Sequence, residues 1–205
     1  MEFASDVAFS PSVKRIQSER GSRSSYARME QQRGGFADAI DSEVAAFIRK
    51  RDSAFLATAS ADGQPYVQHR GGPRGFIKVL DPKTLGFADF LGNRQYITTG
   101  NLAENDRAFL FLMNYEARER IKIWGRARVI TDDPRLFEKL ADPAYDARIE
   151  QAIIFEVAAW DANCHQHIPR LLDAERVEAS TNALRARIGY LEATLRDAKI
   201  PFSAS

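Results

Sequence analysis

A short polar loop is the part of this sequence best suited to bind an anion. Asn93, Arg94 and Gln95 follow a short apolar strand and precede a segment that favours a helix. Their side-chain donors and the backbone N–H groups at a helix start suit a phosphate, which an arginine contacts through two parallel hydrogen bonds. The pattern predicts a site for a phosphorylated cofactor. A solvated turn in which Arg94 pairs with Asp89 or Glu104 is the alternative.

A second group of reactive side chains lies near residue 165. Cys164, His165 and His167 suggest a metal site, but His69 is the only other histidine, and such a site needs three or four ligands. No metal is predicted. We expect Gln166 and His167 to cap the exit of the last strand or to reach a bound cofactor, and Cys164 to be a structural thiol.

The bulk composition excludes several classes of partner. The 205 residues include 29 Lys and Arg against 28 Asp and Glu, so there is no overall field to attract nucleic acid or an anionic membrane. Apolar segments are shorter than the roughly 20 residues of a spanning helix. The single cysteine excludes an intramolecular disulfide, and the first residues do not resemble a secretory signal, so a cytoplasmic protein is expected.

The elements that position the loop begin after a polar start. Residues 1–35 contain six Lys and Arg and few apolar residues, which predicts a loosely packed helical arm. Its basic face is either solvated or reaches across a partner subunit. From Phe36, apolar residues recur at helical spacing, and Asp38 or Asp41 suits the first turn of a helix that continues to about Lys50.

Short apolar or alternating segments then follow at close spacing, which predicts strands. They cover 54–59, 66–70, 76–80, 85–90, 107–113, 120–130 and 151–159. A short helix is expected from Asp133 and Pro134 to about Leu140. The fold class is therefore mainly β with flanking helices (α+β), as a six- to seven-stranded antiparallel split β-barrel, closed or nearly closed. The glycine-rich motifs of dinucleotide and P-loop sites are missing.

The C-terminal part predicts one long helix with an apolar seam. Alternating spacings of four and three residues connect Val177, Thr181, Leu184, Ile188, Leu191 and Leu195. The seam either packs on the barrel of its own chain or pairs with the same helix of a second copy.

Four segments together resemble the pyridoxamine 5'-phosphate oxidase-like, FMN-binding split-barrel family. They are GFIKVLD at 75–81, LGFADFLGNRQY at 85–96, NDRAFLFL at 105–112 and RIKIWGRARV at 120–129. The resemblance spans about residues 38–168. It implies a homodimer with two flavins at the subunit interface. It also implies a division of the chain into the arm (1–35), an FMN-binding domain (36–168) and the C-terminal heptad helix with its tail (169–205).

The resemblance also implies which residues contact the cofactor FMN. Lys78 and the 93–95 triplet occupy the family's phosphate-binding positions, although the family's Ser and Lys are Asn93 and Gln95 here. Arg120, five residues before Gly125, occupies the place of a glutamine near the flavin ring edge, where an arginine would stabilise negative charge. The predicted cofactor-binding residues are Arg74, Lys78, Asp89, Asn93, Arg94, Gln95, Arg120, Trp160, Gln166 and His167.

Three functions follow from the resemblance. The first is an FMN-dependent oxidoreductase acting on an unknown small organic substrate. Vitamin B6 oxidation is not expected, because the His and Arg residues that the family uses for it are not found near the C-terminus. The second is a module that binds a flavin, haem or another tetrapyrrole without turnover. The third is a deazaflavin-dependent reductase. Trp160 either packs in the fold or stacks near the flavin, and His69 and Arg70 precede a sharp bend near the expected pocket.

Overall fold

The structure, a computed structural model, describes residues 2–163 and 166–201. A single 3-10 turn at Ala4–Val7 comes first. The helices are α1 (Pro11–Glu19), α2 (Arg23–Arg33), α3 (Ser42–Ile48), α4 (Ile97–Glu104), α5 (Pro134–Leu140) and α6 (Ala174–Asp197). The strands are β1 (Ser53–Ala59), β2 (Pro65–Gly71), β3 (Lys78–Asp81), β4 (Thr84–Phe90), β5 (Arg107–Asn114), β6 (Glu119–Ile130) and β7 (Ile149–Asn163).

Aspartates fix the starts of two predicted helices. Asp41 caps α3 by accepting a hydrogen bond from the Val44 N–H at 2.8 Å. Asp133 caps α5 in the same way, with the Leu136 N–H at 2.9 Å. Pro134 occupies the first helical position, where a backbone N–H would have no partner within the helix, so proline costs no hydrogen bond there. Both helices are confirmed, and α3 is shorter than the predicted segment.

All seven strands form one antiparallel sheet in the order β2-β1-β5-β6-β7-β4-β3. Strands β2 and β3 are its two edges, so strand hydrogen bonds do not close the sheet. The predicted α+β split barrel is confirmed, with seven strands. Side chains connect the two ends of the sheet. Arg70 on the edge strand β2 pairs with Asp89 on β4, which lies next to the other edge.

The longest pairing, between β6 and β7, depends on one glycine. The register shifts between Trp124 and Gly125. A Cβ atom on Gly125 would lie only 2.1 Å from the carbonyl oxygen of Glu156. Any side chain here would therefore force β6 and β7 apart, which is why a glycine stands at this irregularity.

The core lies on the inner face of the sheet and under α3. Its largest fully buried apolar side chains are Phe87, Phe155, Ile48, Leu56, Ile77, Leu85, Leu110, Leu112, Ile123 and Ile153. A smaller cluster gathers around Leu140 of α5. Alternation of buried and exposed positions along β1 and β5 matches a sheet with one covered face.

The N-terminal segment is held by a buried carboxylate. Glu30 on α2 is only 2% exposed. It accepts a hydrogen bond from the Ser5 hydroxyl at 3.1 Å and pairs with Arg23. Lys14 lies 2.6 Å from Asp6 and 3.8 Å from Glu30. Two of the basic residues expected to be solvated or to face a partner are therefore ion-pair partners inside their own chain.

The described residues fall into two compact units. The first contains the N-terminal segment, all seven strands and helices α1 to α5. The second contains the loop Tyr115–Arg118 and the residues from Gln166 onward, including α6. The predicted three-part division of the chain stays a proposal. None of the helices in the described part of the chain combines the length and apolarity that a membrane span requires.

Candidate functional site

A cleft of about 290 Å³ opens where β2 approaches β4, β7 and the start of α4. We call it the Arg94 cleft. Its lining residues are Tyr66, Gln68, Arg70, Asp89, Phe90, Gly92, Asn93, Arg94, Gln95, Tyr96, Ile97, Thr98, Thr99, Glu150 and Gln151. Four of the ten predicted cofactor-binding residues, Asp89 and the 93–95 triplet, are therefore brought together in one place.

The loop that carries the triplet has an unusual backbone. Arg94 and Tyr96 have φ angles of 59° and 54°, in the left-handed region that residues other than glycine seldom adopt. The Asn93 side-chain oxygen accepts a hydrogen bond from the Gln95 N–H at 3.2 Å, which stabilises the turn. Left-handed residues other than glycine cluster at functional sites, because the surrounding structure must hold them there.

This backbone leads directly into the start of α4. Tyr96 is the N-cap residue and its side chain makes no capping hydrogen bond. The first N–H groups of α4 are therefore not satisfied by a side-chain cap, and the first three residues of the helix, Ile97 to Thr99, line the cleft. Arg94 is exposed next to them, and it forms no ion pair within residues 2–163 and 166–201. Together these groups favour a negatively charged ligand.

A network of buried polar groups lies beneath the loop. Asp89 pairs with Arg70 through one carboxylate oxygen, and through the other it accepts a hydrogen bond from Gln151 at 2.8 Å. Gln151 also donates to the Thr99 hydroxyl at 2.9 Å. Asp89 is thus neutralised by Arg70, and the predicted alternative, an Arg94–Asp89 pair, is not found. The other suggested partner, Glu104, accepts a hydrogen bond from the Ala61 N–H.

Arg70 is the most buried cation of this cleft. Its side chain is 11% exposed. Burial lowers the pKa of Arg70 below its usual value, and the Asp89 charge partly offsets that effect. Its Nε atom is buried, and no acceptor for it exists among the described residues. A buried donor without an acceptor is costly, so the Arg70–Asp89 pair is held in place at an energetic cost.

Hydrogen bonds attach α4 and the loop before it to the sheet at this cleft. The Thr98 hydroxyl donates to Gln68 on β2 at 2.7 Å. The Tyr96 hydroxyl donates to Glu150 at 2.7 Å, and this bond raises the pKa of Tyr96 above its ordinary value. Besides the Arg70–Asp89 pair, the charged residues of the lining are therefore Arg94 and Glu150.

A second cleft, of about 710 Å³, lies between α3 and the strands β6 and β7. We call it the Arg120 cleft. It is lined by Glu43, Val44, Ala46, Phe47, Lys50, Arg51, Asn114, Glu119, Arg120, Ile121, Trp160 and Ala162. The Trp160 indole N–H donates to the Ala39 carbonyl at 2.8 Å, so its polar atom is used in the fold while its ring forms part of the wall.

The remaining predicted residues lie elsewhere. Lys78 starts the edge strand β3, and Arg74 lies exposed in the loop before it; neither lines either cleft. Gln166 and His167 belong to the second unit, where both are exposed. Within a single chain β7 and β4 separate β6, which carries Arg120, from β3, which carries Lys78. Their predicted contact with one cofactor at a subunit interface stays a prediction.

Some cleft residues were missed by the sequence reasoning. Arg70, which the sequence analysis placed near the expected pocket, does line the Arg94 cleft, but Tyr66 and Gln68 were missed. Their spacing of two along β2 was a usable signal that all three share one face. Glu150 and Gln151 had no such signal, since nothing in the sequence connects the start of β7 to the loop at 93–95.

The suggested metal site falls partly outside the described residues. Cys164 and His165 are not among them. Within the described ranges, no group of three or more His, Cys, Asp and Glu side chains is arranged to hold a metal ion.

Comparison with known proteins identifies the family. The sequence profile of the pyridoxamine 5'-phosphate oxidase family matches residues 40–188, well over half of the chain. The chain therefore belongs to this family, as the resemblance in the sequence indicated. Among functionally curated proteins, none matches the chain in sequence.

The chain is also similar to several solved structures. The Group A Streptococcus protein HupZ is 17% identical, covers 65% of this chain and 100% of its own, and has a TM-score of 0.50. An FMN-binding protein from Syntrophomonas wolfei is 13% identical, with coverages of 79% and 97% and a TM-score of 0.45. An F420 reductase is 16% identical, with coverages of 56% and 94% and a TM-score of 0.40. Identities this low say nothing about the ligand of this chain.

Proposed function

We propose that the chain binds FMN and acts, as a homodimer, as a flavin-dependent oxidoreductase on a small organic substrate. The Arg94 cleft is the observation that supports this most. It combines an exposed arginine in a left-handed loop with a helix start that lacks a side-chain cap. A phosphate group suits these donors, and bound FMN would supply hydride or electron transfer. Membership of the pyridoxamine 5'-phosphate oxidase family supports the same cofactor.

The charges of the cleft decide where a phosphate would lie. Arg70 and Asp89 neutralise each other, which leaves Arg94 and Glu150 as the opposing charges of the lining. Glu150 would repel a phosphate, so the phosphate belongs on the Arg94 side, above the N–H groups of α4.

Two copies of the chain would complete the site. We place the flavin ring between the Arg94 cleft of one subunit and the Arg120 cleft of the other. There Arg120 would add a positive charge at the ring edge, and Trp160 would supply an apolar wall. The other predicted contacts, Arg74, Lys78, Gln166 and His167, stay proposals for the same cofactor.

Exposed apolar residues on the outer face of the sheet support the proposed dimer. Phe55 on β1 lies opposite Phe111 on β5 and opposite His69 on β2. Phe55 and Val67 are exposed, and the Phe55 and His69 rings are 5.7 Å apart. A contiguous apolar patch on an outward sheet face is typical of a protein interface.

Titration of the purified protein with FMN and with riboflavin tests the phosphate contact. Replacing Arg94 with alanine should weaken FMN binding about 10- to 100-fold, because one charge-assisted contact is lost. Riboflavin, which lacks the phosphate, should bind both proteins equally. Arg135→Ala, which removes an exposed arginine on α5, is the matched control and should change neither affinity.

Four results would count against this function. Equal affinity of the wild-type protein for FMN and riboflavin would show that the phosphate does not contribute to binding. A deazaflavin that binds more tightly than FMN, or a haem spectrum in the untreated protein, would favour the other cofactor classes. A flavin that binds but is never reduced by NADH or NADPH would favour a sensing module.

Sedimentation tests the sheet interface separately. Val67→Glu places a charge in the apolar patch and should shift the protein toward monomer. Thr131→Glu, at an exposed position after β6, should leave the mass unchanged. If the Val67→Glu and Thr131→Glu proteins sediment with the same mass, the outer face of the sheet is not the dimer interface.

A further inference from the structure

Helix α6 exposes an apolar seam that the proposed function does not use. None of its 24 residues is buried. The most exposed seam residues are Leu184 and Ile188, at 63% and 54%. A helix with a sustained apolar stripe normally buries that stripe against another element. The exposed seam therefore indicates an interaction surface.

The helix is a bounded element with clear ends. Asp173 caps its start by accepting a hydrogen bond from the Arg176 N–H. At its other end Lys199 adopts a left-handed conformation with a φ of 56°, and the Ile200 N–H donates to the Leu195 carbonyl at 2.9 Å. From Val177 to Leu195 the seam is about 27 Å long at a rise of 1.5 Å per residue.

The centre of the seam favours two strands. In a heptad, Thr181, Ile188 and Leu195 occupy a positions, while Val177, Leu184 and Leu191 occupy d positions. Ile188 at a between Leu184 and Leu191 at d is the arrangement that favours a parallel two-stranded coiled coil. Val177 at d and Leu195 at a, at the two ends of the seam, depart from it. Thr181 is compatible with burial, because its hydroxyl already donates to the Val177 carbonyl at 2.8 Å.

Charges beside the seam specify the orientation. In a parallel pair, the g position Arg187 faces the e position Glu192 of the second copy, and the opposite charges attract. In the antiparallel register that overlaps the whole seam, like charges meet instead: Arg185 and Arg187 each face their own counterpart, and Glu178 faces Glu192. Only the first turn is unfavourable in the parallel pair, where Asp173 meets Glu178.

We propose that α6 pairs in parallel with α6 of a second copy of this chain, as a two-stranded coiled coil between Val177 and Leu195. Fewer than three heptads form a weak coiled coil on their own. Attachment to a chain that also associates elsewhere raises the effective concentration of the helices and makes a short seam sufficient. The pairing does not require a flavin, so its test is independent of the FMN titration.

Disulfide trapping in the full-length chain tests this arrangement. In a Cys164→Ser background, which removes the only native cysteine, Leu184→Cys should form a covalent dimer of twice 23.0 kDa under mild oxidation. Parallel pairing places identical d residues next to each other. The matched control is Ala186→Cys, at an f position on the far side of the helix, which should yield at least about tenfold less dimer.

A mixed sample separates the two orientations. If Leu184→Cys and Ile188→Cys chains are combined, a parallel pair should give mainly the two homodimers. Preferential cross-linking between the two different chains would show the antiparallel register and overturn the proposal. No cross-linking above the Ala186→Cys control would also overturn it.

Charge reversal identifies the partner without a cysteine. Arg187→Glu or Glu192→Arg alone should weaken dimerisation about two- to fivefold, and the double variant should restore it, as expected for an interhelical g–e pair. Residues five apart do not face each other on one helix, so the rescue cannot come from within a chain. If Ile188→Glu lowers the melting temperature of a protein that stays monomeric, the seam is covered by its own chain, and the proposal fails.

Discussion

The helical segments before and after the strands in the sequence bury their residues in opposite ways. The N-terminal segment has few apolar residues, yet it buries Ser5, Gln17 and Glu30. Helix α6 has a regular apolar seam, yet none of its residues is buried. From hydropathy alone, the first segment would be expected to be loose and the second to be packed.

The difference shows that apolar content does not decide whether a segment packs within its own chain. The buried Glu30 carboxylate is compensated by Arg23, Lys14 and the Ser5 hydroxyl, so its burial is tolerated. A few aromatic residues complete the attachment. Phe9 contacts Phe36 at 5.2 Å, and Phe36 stacks on Trp124 of β6 at 5.4 Å. By contrast, a seam without a local partner is free to bind another chain.

The largest expected effect comes from removing the buried carboxylate. Glu30→Ala leaves Arg23 in a mostly buried site without its partner, and breaking such a pair typically costs about 3 kcal/mol. We expect the N-terminal segment to detach while the sheet stays folded. Hydrogen exchange should show faster exchange across residues 2–33 and unchanged exchange in β6 and β7.

An exposed ion pair of the same segment provides the control for this change. Arg15 and Glu19 pair across one helical turn on the surface of α1. Removing Glu19 should cost about 0.5 kcal/mol or less. Equal effects of Glu19→Ala and Glu30→Ala would show that the buried carboxylate does not hold the segment.

Acid should weaken the same attachment by a smaller amount. The hydrogen bond from Lys14, supported by the Phe3 N–H, lowers the pKa of Asp6 from 3.8 to about 2. Because the folded-state pKa is depressed, this stabilisation is fully present above pH 3.8 and is lost as the pH falls through 2. Asp6 is near the surface, so we expect a contribution of about 1 kcal/mol.

Comparing the free energies of unfolding of Asp6→Asn and the wild-type protein separates the effect of Asp6 from the effects of the other carboxylates. The stability difference between the two proteins should be constant from pH 5 to 7 and should shrink below about pH 4. A difference that does not change between pH 2 and 7 would contradict the assigned role of Asp6.

Most of the fold was predictable because each element has a local signal. Asp41 and Asp133 cap helices, and alternation along the strands gives the sheet. The attachment of the N-terminal segment was not predictable, because Glu30 and Ser5 lie 25 residues apart and meet only in three dimensions. A buried ion pair has no periodic sequence pattern.

The candidate site was predicted in part for the same reason. Asn93 to Gln95 lie together in one loop, so a single stretch of sequence revealed them. Arg70 and Gln151 join that loop through Asp89 from two other strands, and only the sheet order brings them there. Family resemblance assigned Arg120 and Lys78 to a cofactor site between subunits. Within one chain they lie on strands that β7 and β4 separate, so their shared role stays a prediction.

The smallest expected effect concerns α6 and sharpens the contrast between the two segments. Gly189 lies in the middle of the helix at a b position, outside the seam, and a Cβ atom there would meet nothing within 4 Å. Gly189→Ala should therefore stabilise the helix by about 0.8 kcal/mol without creating a contact. If α6 pairs with a second copy, a better ordered helix also loses less entropy on pairing, so dimerisation should tighten.

The matched opposite variant is Ala186→Gly, at a position on the far side of the helix, which should lower both the stability of the helix and the strength of dimerisation. Circular dichroism and sedimentation measure the two effects, and a helix that gains stability while dimerisation stays unchanged would show that α6 stands alone.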